Sequence, residues 1–143
     1  MKNSTIFSSI IGFIGAFFTA LFGGWTTGMI TLLIFMGIDY LSGLVVAGVF
    51  QKSNKSESGA LESRAGFKGL CRKCMILLFV LIAYRLDLMI GTNYIRDAVV
   101  ITFSINEVLS IAENAALMGI PLPKVILKAL DILKQKASFE EDN

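Results

Sequence analysis

Apolar residues fill the first part of the chain almost without interruption. After Lys2, no charged residue occurs before Asp39. One continuous helix over residues 3–38 would be about 54 Å long, whereas the hydrocarbon core of a bilayer is about 30 Å thick. The chain must therefore fold back, and the glycine-rich stretch at residues 23–28 can break the helix. The pattern predicts two membrane spans, at residues 5–22 and 27–50.

A second pair of apolar segments follows a polar stretch. Residues 75–91 form the third predicted span, and residues 94–118 form the fourth, with a Gly-Thr-Asn turn between them. Gly119, Pro121 and Pro123 then end the fourth segment, because glycine leaves a helix easily and proline cannot continue one. The chain is predicted to be one all-α membrane domain over residues 1–143, with about four transmembrane helices in two helical hairpins.

Positive charge is concentrated in the predicted loop at residues 51–74. Its basic residues outnumber its acidic residues, whereas the turns at residues 23–28 and 91–93 contain no Lys or Arg. Short loops rich in Lys and Arg stay on the cytoplasmic side of a membrane. The loop and both termini are therefore predicted to be cytoplasmic.

Residues 124–136 are predicted to form an amphipathic helix, apolar on one side and basic on the other. They are too few to cross a bilayer, and their lysines suit an anionic membrane surface. The residues expected at that surface come from this segment and from the loop; they are Lys68, Arg72, Lys73, Lys124 and Lys128.

The composition supports a membrane protein and argues against several other classes. Hydrophobic residues make up 55% of the chain, charged residues 17%, and the mean hydropathy is +0.70. A net charge of +2 gives no reason to expect a nucleic-acid partner. The chain has no histidine, and Cys71 and Cys74 lack the further ligands that a zinc site needs. We interpret both cysteines as reduced thiols and expect neither a cofactor nor a catalytic site.

Polar side chains inside the spans are the strongest functional signal. Several of those in the fourth span fall within an arc of about 140° on a helical wheel, with apolar residues opposite. Asp39 lies near the middle of the second span. An ionisable residue inside a membrane is expensive and suggests a functional site, although Asp39 could be a structural residue bonded to Ser42 or Tyr40. The candidate polar-face or pore-lining residues are Asp39, Asn106, Glu107, Ser110, Glu113 and Asn114.

Small residues mark one face of the first two spans. Small faces let helices approach closely in lipid, where close packing drives association. The pattern fits packing within one chain and self-association between chains equally well. The glycines expected to pack are Gly12, Gly15, Gly23, Gly24, Gly37 and Gly43.

Three stretches of this sequence together resemble a known family. They are residues 36–43 (MGIDYLSG), residues 63–70 (SRAGFKGL) followed by Lys73, and residues 106–111 (NEVLSI) followed by Glu113, Asn114, Gly119, Pro121 and Pro123. With this order and spacing, nearly the whole chain resembles the small holins of bacteriophages and toxin-gene clusters. Cys71 and Cys74 are outside that pattern.

The resemblance implies a protein that accumulates in the cytoplasmic membrane of a bacterial host and oligomerises there into lethal lesions. Such lesions release a cell-wall hydrolase (endolysin), or a toxin without a signal peptide, with no need for direct contact with that cargo. Two other classes stay open. Asp39, Glu107 and Glu113 could bind a cation in a small transporter or channel, or the polar segments could recruit a partner to a membrane scaffold.

Overall fold

The computed structural model describes residues 2–129, 131 and 132, with side chains from Ser4 onward. These residues form four long helices and no strand, so the all-helical prediction is confirmed. The helices are α1 (Lys2–Phe22), α2 (Thr27–Val45), α3 (Ser63–Ile90) and α4 (Ile95–Leu117). α2 continues into a π-helical turn, Val46–Phe50, in which the carbonyl of Val46 accepts a hydrogen bond from the amide of Gln51.

The turn between α1 and α2 is built by glycine and by a threonine cap. Gly23 and Gly24 have φ values of +76° and +100°, in the left-handed region that favours glycine. Their amides both donate to the carbonyl of Thr19 at 3.0 Å, which closes the end of α1. Thr26 then caps α2 by accepting from the amide of Met29 at 3.3 Å. The predicted break at residues 23–28 thus has a clear local cause.

α3 starts earlier than the predicted third span. The helix begins at Ser63 and continues without a break through residue 74 to Ile90, so only residues 51–62 form the loop. Residues 63–74 of the predicted loop are therefore helical in the structure. Its basic side chains do not interrupt a helix, because Lys and Arg are good helix formers and no proline occurs there.

The core lies between α2, α3 and α4. α2 packs along α4, and α3 packs against this pair. The apolar centre consists of Met29, Leu32, Met36, Val80 and Val100, all at most 5% exposed. α1 stands apart: within the described residues it contacts mainly α3, and no residue of its most apolar stretch is buried.

In the part of the chain that the structure describes, two helices are long and apolar enough to cross a membrane. They are Ser4–Phe22, with 19 residues, and α2 with its π turn, Thr27–Phe50, with 24 residues. Large apolar side chains are also exposed on every helix; examples are Phe13, Val49, Ile82 and Ile101. Such an exterior suits a protein surrounded by lipid, in which apolar side chains need no burial against protein.

The chain after α4 is helical again at residues 124–129, 131 and 132. Lys124 and Lys128 are exposed, whereas Ile126 is partly buried. This segment borders an apolar groove of about 470 Å³ that it shares with α2 and α4. The last residues of the predicted amphipathic helix, 133–136, lie outside the described residues.

Candidate functional site

A cluster of charges lies inside the bundle, where α2, α3 and α4 meet. The ammonium group of Lys73 on α3 lies 2.9 Å from Oδ2 of Asp39 on α2 and 2.5 Å from Oε2 of Glu107 on α4. Asp39 is 7% exposed, Glu107 is 4% exposed, and the side chain of Lys73 is 12% exposed. One lysine therefore joins two buried carboxylates from different helices.

Asn114 adds neutral hydrogen bonds to this cluster. Its side-chain amide donates to Oδ1 of Asp39 at 3.1 Å, to the Asp39 carbonyl at 3.2 Å, and to Oγ of Ser42 at 2.8 Å. Ser42 in turn donates to the Asp39 carbonyl at 3.0 Å. A Cβ at Gly43 would lie 3.7 Å from Nδ2 of Asn114, an ordinary van der Waals distance, so α2 and α4 are in contact here.

The loop at residues 51–62 folds over the end of the cluster. Nζ of Lys55, whose side chain is 40% exposed, lies 3.6 Å from Oδ1 of Asp39. A cavity of about 60 Å³ separates the loop from α2 and α3, with Asp39 and Lys55 in its wall. Because one water needs about 10–15 Å³ of such volume, the cavity can hold water beside Asp39.

Local hydrogen bonds stabilise the loop. The amide of Ser53 donates to the carbonyl of Gly59 at 2.9 Å, and Gly59 has a φ of +74°. Glu62 accepts from the hydroxyl of Ser58 at 2.6 Å and from its amide at 3.1 Å. These two bonds to Ser58 lower the pKa of the Glu62 carboxyl below its ordinary value.

A second polar cluster joins the opposite ends of the helices. The carboxylate of Asp87, near the end of α3, accepts from the hydroxyl of Thr92 at 2.6 Å and from the amides of Ile95 and Arg96 at 3.1 and 2.8 Å. It thereby satisfies free amides at the start of α4. Nη1 of Arg96 donates to the carbonyls of Phe22 and Gly23 at 3.1 and 3.0 Å, which connects α4 to the end of α1.

The structure brings together only some of the predicted polar residues. Asp39, Glu107 and Asn114 meet in the buried cluster, whereas Ser110 and Glu113 are partly buried on α4 and Asn106 is exposed. Each buried side-chain nitrogen or oxygen in the described residues has a hydrogen-bond partner. The cluster is thus a satisfied polar network inside an apolar bundle.

The predicted basic residues differ in exposure, and the predicted packing glycines differ in whether they approach another helix. Lys68 and Arg72 are exposed on α3, but Lys73 lies inside the bundle instead of at the surface. Among the predicted packing glycines, Gly23 and Gly43 approach other helices. The remaining four would place a side chain in open space; they are Gly12, Gly15, Gly24 and Gly37. Their predicted packing within the chain is not observed.

The sequence analysis did not anticipate the roles of Lys73, Asp87 and Arg96. Lys73 carried one available signal, because it directly precedes the apolar residues of the third predicted span. No group of three metal-ligating side chains occurs among the described residues, and Cys71 and Cys74 are free and exposed. The arrangement is suited to holding charge within an apolar bundle.

The described residues combine two apolar helices of membrane length with an apolar exterior and an internal ion cluster, features that suit a membrane protein. The chain matches the bacteriophage holin family over residues 16–135 and belongs to that family.

Its relatives include proteins of bacteria and of a phage. An uncharacterised protein of Listeria innocua is 40% identical over 134 residues, which cover 93% of this chain and 89% of the relative. An uncharacterised 14.9 kDa protein in the nagH 3′ region of Clostridium perfringens is 37% identical, over 86% of this chain and 89% of its own. A probable holin of Bacillus phage phi105 is 31% identical, over 72% of this chain and 71% of the phage protein. No solved structure matches this chain.

Proposed function

We propose that this protein is a holin that accumulates in the bacterial cytoplasmic membrane and assembles there into lesions. The lesions release a cell-wall hydrolase or a toxin that lacks a signal peptide, and the host cell lyses. The match to the holin family over most of the chain is the observation that carries this proposal. The relative named as a probable holin supports it further.

The proposed topology has four spans in two hairpins, with both termini in the cytoplasm. α3 and α4 have 28 and 23 residues, which correspond to about 42 and 35 Å of helix, enough to cross the hydrocarbon core. The basic residues of the loop and of the first turns of α3 support a cytoplasmic position for this end of the bundle. Asp87 and Arg96 would then lie at the opposite side of the membrane.

The buried ion cluster supports a closed form that does not leak. In a single chain, Asp39 and Glu107 are paired with Lys73, and the exterior offers lipid mainly apolar side chains. An isolated charge in hydrocarbon costs several kcal/mol, so the closed form keeps these groups inside. On assembly, contacts between chains replace contacts within the chain, and the polar face of α4 with Glu107, Ser110 and Glu113 lines water.

α1 supports self-association between chains. An added Cβ at Gly12 or Gly15 would meet no described atom within 4 Å, although such small residues favour close helix packing in lipid. The face that the sequence analysis assigned to helix packing is thus free within the chain. We propose that α1 contributes to the homo-oligomer.

The test is induced expression in bacteria, with simultaneous measurement of the release of a small dye and of a folded cytoplasmic enzyme. A strain that expresses the gene with an early stop codon is the control, and the membrane fraction is quantified in parallel. A holin releases both reporters once the protein has accumulated. Ion-selective current without enzyme release would identify a channel instead. Accumulation without either effect would identify a membrane scaffold.

A further inference from the structure

The ion cluster connects the three helices in two different ways, one between α2 and α4 and the other between α3 and this pair. α2 and α4 pack along each other, and Asn114 connects them through Asp39 and Ser42. α3 packs less extensively on this pair, and Lys73 supplies its ion pairs to both partners. Lys73 is thus the ion-pair connection between α3 and the α2–α4 pair in the described residues, at the end of the bundle opposite to Asp87.

The position of the cluster makes this connection costly to break. Asp39 and Glu107 are only 7% and 4% exposed, so a carboxylate that loses its cation there is left uncompensated inside the bundle. The exposed Lys55 also approaches Asp39, at 3.6 Å, from the loop. Glu107 has no second lysine within ion-pair distance among the described residues. It therefore depends on Lys73 for charge compensation more strongly than Asp39 does.

We propose that Lys73 is a latch that keeps α3 against the α2–α4 pair, and that the lesion begins to open when Lys73 leaves Glu107. This inference rests on the proposed holin function and adds the step that regulates it. While the latch is closed, the buried carboxylates are paired with lysine. When it opens, α3 separates from α4, the uncompensated carboxylates take up water, and Asn114 still holds α2 to α4. The strength of the latch therefore sets how much protein must accumulate before release begins.

The first test measures the amount of protein in the membrane fraction when enzyme release begins. Lys73→Met leaves Glu107 buried without its partner, so release should begin at a several-fold lower amount than for the wild type. Lys73→Met/Glu107→Gln removes the lysine and the dependent charge together, and should return the onset amount towards the wild-type value. Lys52→Met, which removes an exposed lysine that makes no ion pair in the described residues, is the matched control and should not change the onset.

An unchanged onset amount for Lys73→Met would overturn the latch. An onset for the double variant as early as for Lys73→Met would also overturn it, because the effect would then come from lost packing of the lysine stem. If Lys73→Met does not accumulate, the double variant decides: a normal onset supports the latch, and failure to accumulate overturns it. A wild-type protein that accumulates and releases no enzyme would refute the holin function itself.

A second test asks which helices separate. In a cysteine-free background, Phe79→Cys/Phe103→Cys places one thiol on α3 and one on α4, at positions where the centroids of the two native rings are 6.1 Å apart. A short bifunctional thiol crosslinker that reductant can cleave should prevent release until reductant is added. Gly28→Cys/Val100→Cys joins α2 to α4, where these positions are also in contact, and crosslinking there should permit release. Normal release from the crosslinked α3–α4 pair would contradict the proposed separation.

Discussion

Gly23 offers a sharp test of how the first hairpin is fixed to the rest of the bundle. Its φ is +76°, and an added Cβ would overlap the Tyr84 ring and lie 2.7 Å from Nη1 of Arg96. Gly24 is the matched control, because its φ is +100° but a Cβ there meets nothing within 4 Å. Gly23→Ala adds both backbone strain and a steric clash, whereas Gly24→Ala adds strain alone.

The expected loss of stability follows from three terms: backbone strain, overpacking and the displaced hydrogen bonds of Arg96. A left-handed conformation costs a non-glycine residue about 1–2 kcal/mol, which applies to both variants. Overpacking at Gly23 adds about 1–3 kcal/mol. Displacement of Arg96 from the carbonyls of Phe22 and Gly23 adds about 1 kcal/mol or more. Gly23→Ala should therefore be less stable than Gly24→Ala by about 2–4 kcal/mol.

Trp25, the only tryptophan of the chain, lies beside this turn and provides the signal. Its fluorescence can follow thermal unfolding of the purified protein in detergent micelles, and Gly23→Ala should show the lower midpoint. In cells, replacing Gly23 and Gly24 together by leucine should block assembly while insertion into the membrane persists. Equal midpoints for the two alanine variants, or normal lysis timing for the leucine pair, would refute the reasoning.

Three further predictions concern topology, the polar face and the second cluster. Cys71 and Cys74 should resist membrane-impermeant thiol reagents in intact cells before lysis, and ready labelling of both from outside would contradict the four-span arrangement. Changing Glu107 and Glu113 to glutamine should alter the time of triggering, whereas changing both to leucine should give accumulation without enzyme release; normal release from the leucine pair would exclude a pore-lining role. Asp87→Ala removes three hydrogen bonds at the start of α4 and should destabilise the protein in micelles by about 2 kcal/mol or more, and an unchanged midpoint would show that water replaces the carboxylate.

The sequence predicted the features that depend on local pattern. The turn at residues 23–28 follows from its glycines, and the end of α4 follows from Gly119, Pro121 and Pro123. Asp39 and Glu107 were predicted as candidate functional residues because carboxylates are rare in membrane-spanning helices. Such features are encoded within a few residues, so no knowledge of tertiary packing is needed to find them.

The partner of these carboxylates could not be predicted in this way. Lys73 is 34 residues from Asp39 and from Glu107, and its position depends on how three helices align. The basic composition of its surroundings favoured a surface position, because the continuous start of α3 was not recognised. The glycines of α1 had a similar limit, since a small face looks the same in sequence whether it packs within a chain or between chains.

The π-helical turn at Val46–Phe50 has a consequence for how the length of this chain can vary. A π turn contains one residue more than an α turn, so deleting one residue there could restore a regular helix. Asp39 and Ser42 lie before this turn and would keep their contacts with α3 and α4. The same deletion just before Asp39 would rotate its carboxylate by about 100° away from Lys73. Related chains should therefore tolerate the loss of one residue at the loop end of α2, but not within the part that carries the ion cluster.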